Sequence, residues 1–197
     1  LDEAFSRGET VVERGDSEIT ERDIPRAIAA SERALPPAAT LNRKIIHTIP
    51  LRYFVDGARV MGRSPIGMKG MRLSVETLFI TCLTHHINDI IEAVDQAGYE
   101  IDDIISSPIA RGNLLITKAE KIAGVALVDI GAETMTVIVY ENGLPISLEV
   151  FATGSNDITN DIALGLKVGL PEAEEIKKAM VRTEFPKKKV EDIINNR

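Results

Sequence analysis

Asp129-Ile130-Gly131 stands at the end of a short apolar run, Val125, Leu127 and Val128, and Thr134 follows three residues later. An aspartate, a glycine and a threonine at such a turn can serve phosphate chemistry. The carboxylate holds a metal ion through water, while the glycine and threonine offer a backbone N–H and a hydroxyl to phosphate oxygens. The same residues also make an ordinary buried hairpin. The elements that must position them lie on either side. Met135, Val137 and Val139 alternate with Thr134, Thr136 and Ile138, and Asn142-Gly143 turns the chain into residues 146–151. Strand, tight turn, strand, turn and strand make a β-meander over residues 125–154.

The 197 residues are 44% hydrophobic and 27% charged, which is enough apolar material for one or two cores. A net charge of −7 leaves no basic footprint for nucleic acid, and Lys187-Lys188-Lys189 is too short to make one. Cys82 is the only cysteine, so an intrachain disulfide is excluded, and its apolar setting suits a small core residue. No apolar run reaches the ~18 residues that would span a membrane. His47, His85 and His86 have no cysteine or carboxylate cluster at ligand spacing, so no zinc site is expected. No catalytic residue can be assigned from sequence order. The chain opens on Leu1, and its first five residues read as the interior of a longer protein.

Thr20, with Asp23 three residues on, reads as a helix N-cap. Ile24, Ala27, Ile28, Ser31 and Leu35 then share one helical face, which Pro36-Pro37 ends. Residues 44–55 read as a long strand interrupted by Pro50, which marks an edge or a bulge. Asp56-Gly57 is a turn, residues 64–70 are a second turn-rich segment, and residues 71–83 are another long strand. A helix over 84–98 carries Ile87, Ile90, Ile91 and Val94 and stops at Gly98. A short strand is expected over 101–107, and one helix over 108–121 with Ile109, Leu114 and Leu115 inward. Beyond the meander, helices are expected over 155–168 and 171–181, with a last one starting over 190–195. The first ~100 residues make an α+β unit, and the rest an α/β unit centred on the meander.

Several strings together resemble the FtsA family, bacterial cell-division proteins with an actin-like ATPase fold. They are Glu18-Ile19-Thr20, His47-Thr48-Ile49-Pro50, Pro65-Ile66-Gly67-Met68-Lys69-Gly70-Met71-Arg72-Leu73, Asn88-Asp89-Ile90-Ile91, Gly124 to Gly131, Thr159-Asn160-Asp161-Ile162-Ala163, and Ala173-Glu174-Glu175-Ile176-Lys177. The Pro65–Leu73 string is the most specific, and the pilus protein PilM, which shares the general plan, is not expected to carry it. The resemblance implies an α/β protein with an α+β insertion, part of an actin-like (ribonuclease H-like) ATPase fold. On that plan residues 1–102 are the SHS-type insertion subdomain, residues 103–122 return to the first large subdomain, and residues 123–197 open the second.

The same resemblance implies ATP and Mg2+ as cofactors, with Asp129 reaching the metal through water and Asp129, Gly131, Ala132, Glu133 and Thr134 forming the second phosphate loop. The family loop reads close to Asp-Ile-Gly-Gly-Gly-Thr-Thr-Asp; here Ala132 and Glu133 replace two glycines and Thr136 replaces the closing Asp. Ala132 restricts the backbone, and Glu133 sets a negative charge beside an anion, costing about 1 kcal/mol or more at intermediate dielectric. At most a weak ATPase is expected. Gly154 and Asn156 match the family's turn near the nucleotide, although Ser155 and Asn156 also suit a helix N-cap. Glu174 and Lys177 match a helix that contacts ribose and base, and they equally suit a surface ion pair three residues apart. Arg63, Lys69 and Arg72 surround residues 65–70, a loop read as an interaction surface because the family polymerises through this subdomain. The implied role is a polymer-forming adaptor at the inner face of the cytoplasmic membrane at the division site. It binds FtsZ and the membrane through regions beyond this chain, and it also contacts other division proteins. The alternatives are an active actin- or chaperone-type ATPase and a PilM-like pilus-assembly scaffold.

Overall fold

A computed structural model describes residues 1–181 apart from 14, 16 and 63. The expected helix start over 190–195 and the lysine run at 187–189 lie outside the described residues, as does Arg63.

The first element, β1 (Asp2–Val11), alternates exposed and covered side chains and feeds α1 (Asp23–Arg33). That helix begins three residues later than its Thr20 signal. The Asp23 carboxylate accepts both the Thr20 amide and the Thr20 hydroxyl at 2.9 Å, so it closes the entry turn. Ala27, Ser31 and Leu35 are buried as the periodicity requires, with Ile24 and Ile28 packed beside them. Gly8 makes this packing possible, because a Cβ there would run into the α1 backbone at Ser31 and Ala27. The Ser31 hydroxyl donates to the Ile28 carbonyl or the Thr77 hydroxyl.

A short helix, α2 (Pro37–Thr40), leads into β2 (Arg43–Val55), and β3 (Ala58–Arg59) returns through the Asp56-Gly57 turn, where both residues have positive φ. β4 (Arg72–Leu83) then enters the middle of the sheet, whose order is β1-β4-β2-β3 with antiparallel pairs. The register of β2 against β4 shifts between Pro50 and Arg52, the irregularity that Pro50 announced, and again between Ile45 and His47. Proline lacks a ladder donor, and here it sits on a strand whose outer side is covered only at its end by β3.

The loop at 65–70 is not a free hairpin tip. Ile19 donates to Met68 O, Gly67 to Ile19 O and Gly70 to Ser17 O, all at 2.9 Å, and Pro65 is fully buried. The Asp56 carboxylate fastens its exit by accepting the amides of Met71 (3.0 Å) and Arg72 (2.8 Å).

After α3 (Thr84–Gln96), whose expected apolar stripe buries only Ile87, Gly98 ends the helix with φ +81°. Residues 101–106 form no strand, because no other strand pairs with them. Their end is fixed instead by the Ser106 amide, which donates to His47 Nε2 at 2.9 Å. The single helix expected over 108–121 is two, α4 (Ser107–Leu115) and α5 (Lys118–Ala123). Thr117 and Glu120 form a complete capping box at the break, which restarts the helix. Ile109 packs inward, but Leu114 and Leu115 are exposed.

The meander forms as expected: β5 (Val125–Ile130), β6 (Met135–Glu141) and β7 (Leu144–Phe151), in that order. Its buried face carries Ile138, Tyr140 and Leu148, which pack with Leu78 and Ile80 of β4. Tyr140 lies against the bare α-carbon of Gly112, and its hydroxyl has no hydrogen-bond partner among the described residues. Helices α6 (Ser155–Leu166) and α7 (Leu170–Val181) follow. The described residues divide into two units, one of residues 1–127 with 137–150, the other of residues 128–136 with 151–181.

Candidate functional site

The second unit is built around a short loop. β5 ends at Ile130, and the Gly131 amide donates to the Thr134 carbonyl at 2.8 Å, leaving Ala132 and Glu133 as the loop tip. Ala132, Glu133 and Thr134 are exposed, and Asp129 is half-buried on β5. The amides of Ala132, Glu133 and Thr134 donate to nothing among the described residues. Three amides without an acceptor among the described residues, beside a threonine hydroxyl, make a donor set that fits a phosphate group.

The N-terminus of α6 carries this loop. Ser155 donates its amide to Gly131 O and Asn156 donates its amide to Ala132 O, both at 2.9 Å. Gly154 permits the approach: a Cβ there would lie 2.6 Å from the Ala132 carbonyl carbon and 2.7 Å from the Glu133 nitrogen. Glycine is needed at this position for space, since its φ of −158° suits any residue. Ser155 and Asn156 therefore do not cap the helix with their side chains. That role falls to Asp157, whose carboxylate accepts the Gly154 amide at 2.9 Å and the Thr153 hydroxyl at 2.8 Å. These two bonds, the Gly154 amide first, hold the Asp157 carboxyl below its ordinary value.

Glu174 and Lys177 meet behind this helix end. Their ion pair is 2.7 Å long, and the Lys177 ammonium also donates to Thr159 Oγ1 at 2.8 Å and to the Ser155 carbonyl at 3.0 Å. Thr159, buried on α6, donates to Glu174 at 2.7 Å. Hydrogen bonds from Lys177, then Thr159, hold the Glu174 carboxyl below its ordinary range. Of the two readings open for this pair, the geometry supplies the ion pair. Asp157 and Thr159 were not anticipated here, and Ser155 only as a helix cap. Only Asp157 left a usable signal, an acidic residue three positions after Gly154 at a helix start.

The structure thus gathers Asp129, Gly131, Ala132, Glu133, Thr134, Gly154 and Asn156 into one place, with Glu174 and Lys177 joined to it through Ser155. Among the described residues no three His, Cys, Asp or Glu side chains form a metal-holding group. Lys69 and Arg72 belong to the first unit. Arg72 is exposed and pairs with Glu9 at 3.3 Å, while Lys69 bridges Glu18 through its backbone.

Comparison with known proteins gives matches over two stretches of the chain. The family model described as the SHS2 domain inserted in FtsA matches residues 4–81, and the model described as cell division protein FtsA matches residues 126–196. The cell division protein FtsA of Bacillus subtilis is 35% identical over 175 residues, covering 89% of this chain and 39% of that protein. Its counterpart from Pseudomonas aeruginosa is 33% identical over 162 residues, covering 82% and 38%. The chain therefore spans about two fifths of the length of these relatives. Among solved structures, a chain of the PilM–PilN type IV pilus biogenesis complex superposes with a TM-score of 0.57 at 18% identity, over 91% of this chain and 48% of that one. That likeness speaks to fold alone. With the SHS2 match, it shows an α/β protein with an α+β insertion, part of an actin-like fold. Two family models, on the inserted domain and on the meander with its following helices, and relatives a third identical across both regions agree: the chain belongs to the FtsA family of cell division proteins.

Proposed function

We propose that this chain is the nucleotide-contacting and filament-contacting part of a cell-division adaptor. The whole protein would link FtsZ filaments to the inner face of the cytoplasmic membrane, assemble with further copies of itself and contact other division proteins. ATP with Mg2+ would bind at the loop of residues 131–134, with Asp129 reaching the metal through water. The observation that carries the nucleotide reading is the loop itself, with three amides lacking an acceptor among the described residues, the Thr134 hydroxyl and a backbone docked on a helix end that only glycine at 154 allows. Glu133 opposes it by placing a carboxylate at the loop tip, so weak binding and at most slow turnover are expected.

Calorimetric titration of the protein with ATP and Mg2+, with Glu133→Gly beside wild type, tests this. The variant should bind about tenfold tighter, corresponding to removal of roughly 1.4 kcal/mol of repulsion. No binding in either protein would end the ATP reading, and equal binding would end the role given to Glu133. The adaptor reading is tested by sedimenting the whole protein with FtsZ filaments and anionic liposomes. Its absence from the pellet counts against the proposal.

A further inference from the structure

The family resemblance gives Lys177 to the nucleotide, but its ammonium is already fully used. A lysine has three donors, and here three acceptors surround them: Glu174 at 2.7 Å, Thr159 at 2.8 Å and the Ser155 carbonyl at 3.0 Å. The side chain is only 14% exposed. Ser155 is held from both ends, since its carbonyl accepts a hydrogen bond from the Lys177 ammonium while its amide donates to the Gly131 carbonyl in the loop. One residue later, the Asn156 amide holds Ala132. A continuous path of hydrogen bonds thus runs from α7 through the first turn of α6 to the phosphate loop.

The electrostatics of the path are unusual. A cation beside the N-terminus of a helix opposes the helix dipole, so α6 alone gives no reason for an ammonium there. Glu174 offsets that cost, and an anion at the loop would offset it further. The Ser155 carbonyl also receives more than its helical share, because the ammonium adds a charged bond at 3.0 Å. Charged hydrogen bonds constrain their partners more than neutral ones.

We infer that Lys177 is a positioning residue for the phosphate loop: it fixes the first turn of α6 so that Ser155 and Asn156 hold residues 131–134 ready for a polyphosphate. The inference rests on the nucleotide reading of that loop for its consequence, but not for its geometry. Binding at the loop and the placement of α7 are coupled, because both act on one peptide unit, Ser155. Moving α7 weakens phosphate binding, and filling the loop makes α7 harder to displace.

The test uses Lys177→Met, Lys177→Arg and Thr159→Val with two readouts, ATP–Mg2+ affinity and amide hydrogen exchange. Lys177→Met leaves Glu174 partly solvated, since a third of its side chain is exposed. Loss of one charged hydrogen bond should weaken ATP about tenfold and speed exchange at Ser155 and Asn156 about tenfold. Lys177→Arg should recover part of both. Thr159→Val should shift both in the same direction by less, and it decides the matter if Lys177→Met does not fold. Exchange that rises evenly along all of α6 would mark Lys177 as helix-packing only and overturn the inference. So would faster exchange at Ser155 and Asn156 with unchanged ATP affinity. If wild type binds no ATP, the nucleotide reading fails separately. The exchange pattern then still decides whether Lys177 positions the loop.

Discussion

Along β4 every residue from Leu73 to Thr81 is buried except half-buried Glu76, whereas along α6 only Thr159 is buried. The first unit is held by apolar burial on both faces of its central strand, with Leu73, Val75, Leu78, Phe79 and Ile80 all fully covered. Each such side chain contributes roughly 1.5–3 kcal/mol relative to exposure. The second unit leaves Ile158, Leu164, Leu170 and Met180 half exposed or more and, among the described residues of its helices, buries only Thr159, Ala173 and Ile176. Polar bonds therefore set its geometry: Asp157 on Gly154, Lys177 on Ser155, and Ser155 and Asn156 on the loop. A packed core tolerates little displacement. A polar network leaves a loop well placed yet movable at small cost.

The largest effect should come from the core. Phe79→Ala should destabilise the protein by about 3–5 kcal/mol in urea titration. A loss under about 1 kcal/mol would remove the claim that burial holds the first unit. Gly154→Ala should cost about 1–3 kcal/mol through overpacking against Ala132 and Glu133. Hydrogen exchange should place the loosening in residues 131–134 and 153–157 alone. If β4 amides open equally, the two regions are not independently held.

Acid should separate them further. Asp157 and Glu174 have carboxyls held below their ordinary values, so their stabilisation is full above those values and lost as pH falls through the folded ones. Amide exchange in α6 and α7 should accelerate in that range before exchange in β4 does, and simultaneous acceleration would erase the contrast.

The smallest expected effect is at His47. Burial pushes its imidazole below the ordinary value, and Asp103 partly opposes this. The unfolded chain therefore takes the proton first, and the stability His47 contributes declines as pH falls below the ordinary imidazole value. The neutral ring accepts the Ser106 amide at Nε2, a bond that protonation removes. His47→Phe should flatten that part of the stability–pH curve, and an unchanged curve would exclude His47 as its source.

Periodicity exposed the first unit well because its chemistry repeats. Ala27, Ser31 and Leu35 at helical spacing, the long β4 and the Pro50 irregularity all express regular burial that is visible in residue order. Residues 101–106 misled because an extended apolar segment becomes a strand only with a partner. The split of α4 from α5 was written in Thr117-x-x-Glu120, a capping signal overshadowed by the apolar spacing around it. In the candidate site, the turn between Gly131 and Thr134 could be read directly, since it closes locally on the Gly131 amide. Thr159 could not, because its meaning depends on where α7 brings Glu174 and Lys177.

The chain has no tryptophan, and its three tyrosines, Tyr53, Tyr99 and Tyr140, all fall in the first unit. Burial pushes the Tyr53 and Tyr140 phenols above their ordinary value, so both should ionise late in an alkaline absorbance titration. The seat of Tyr140 against Gly112 makes that ring an optical witness of the core. Intrinsic emission accordingly has its source in the first unit. Tyrosine emission followed through a urea titration therefore reads the unfolding of that unit by itself.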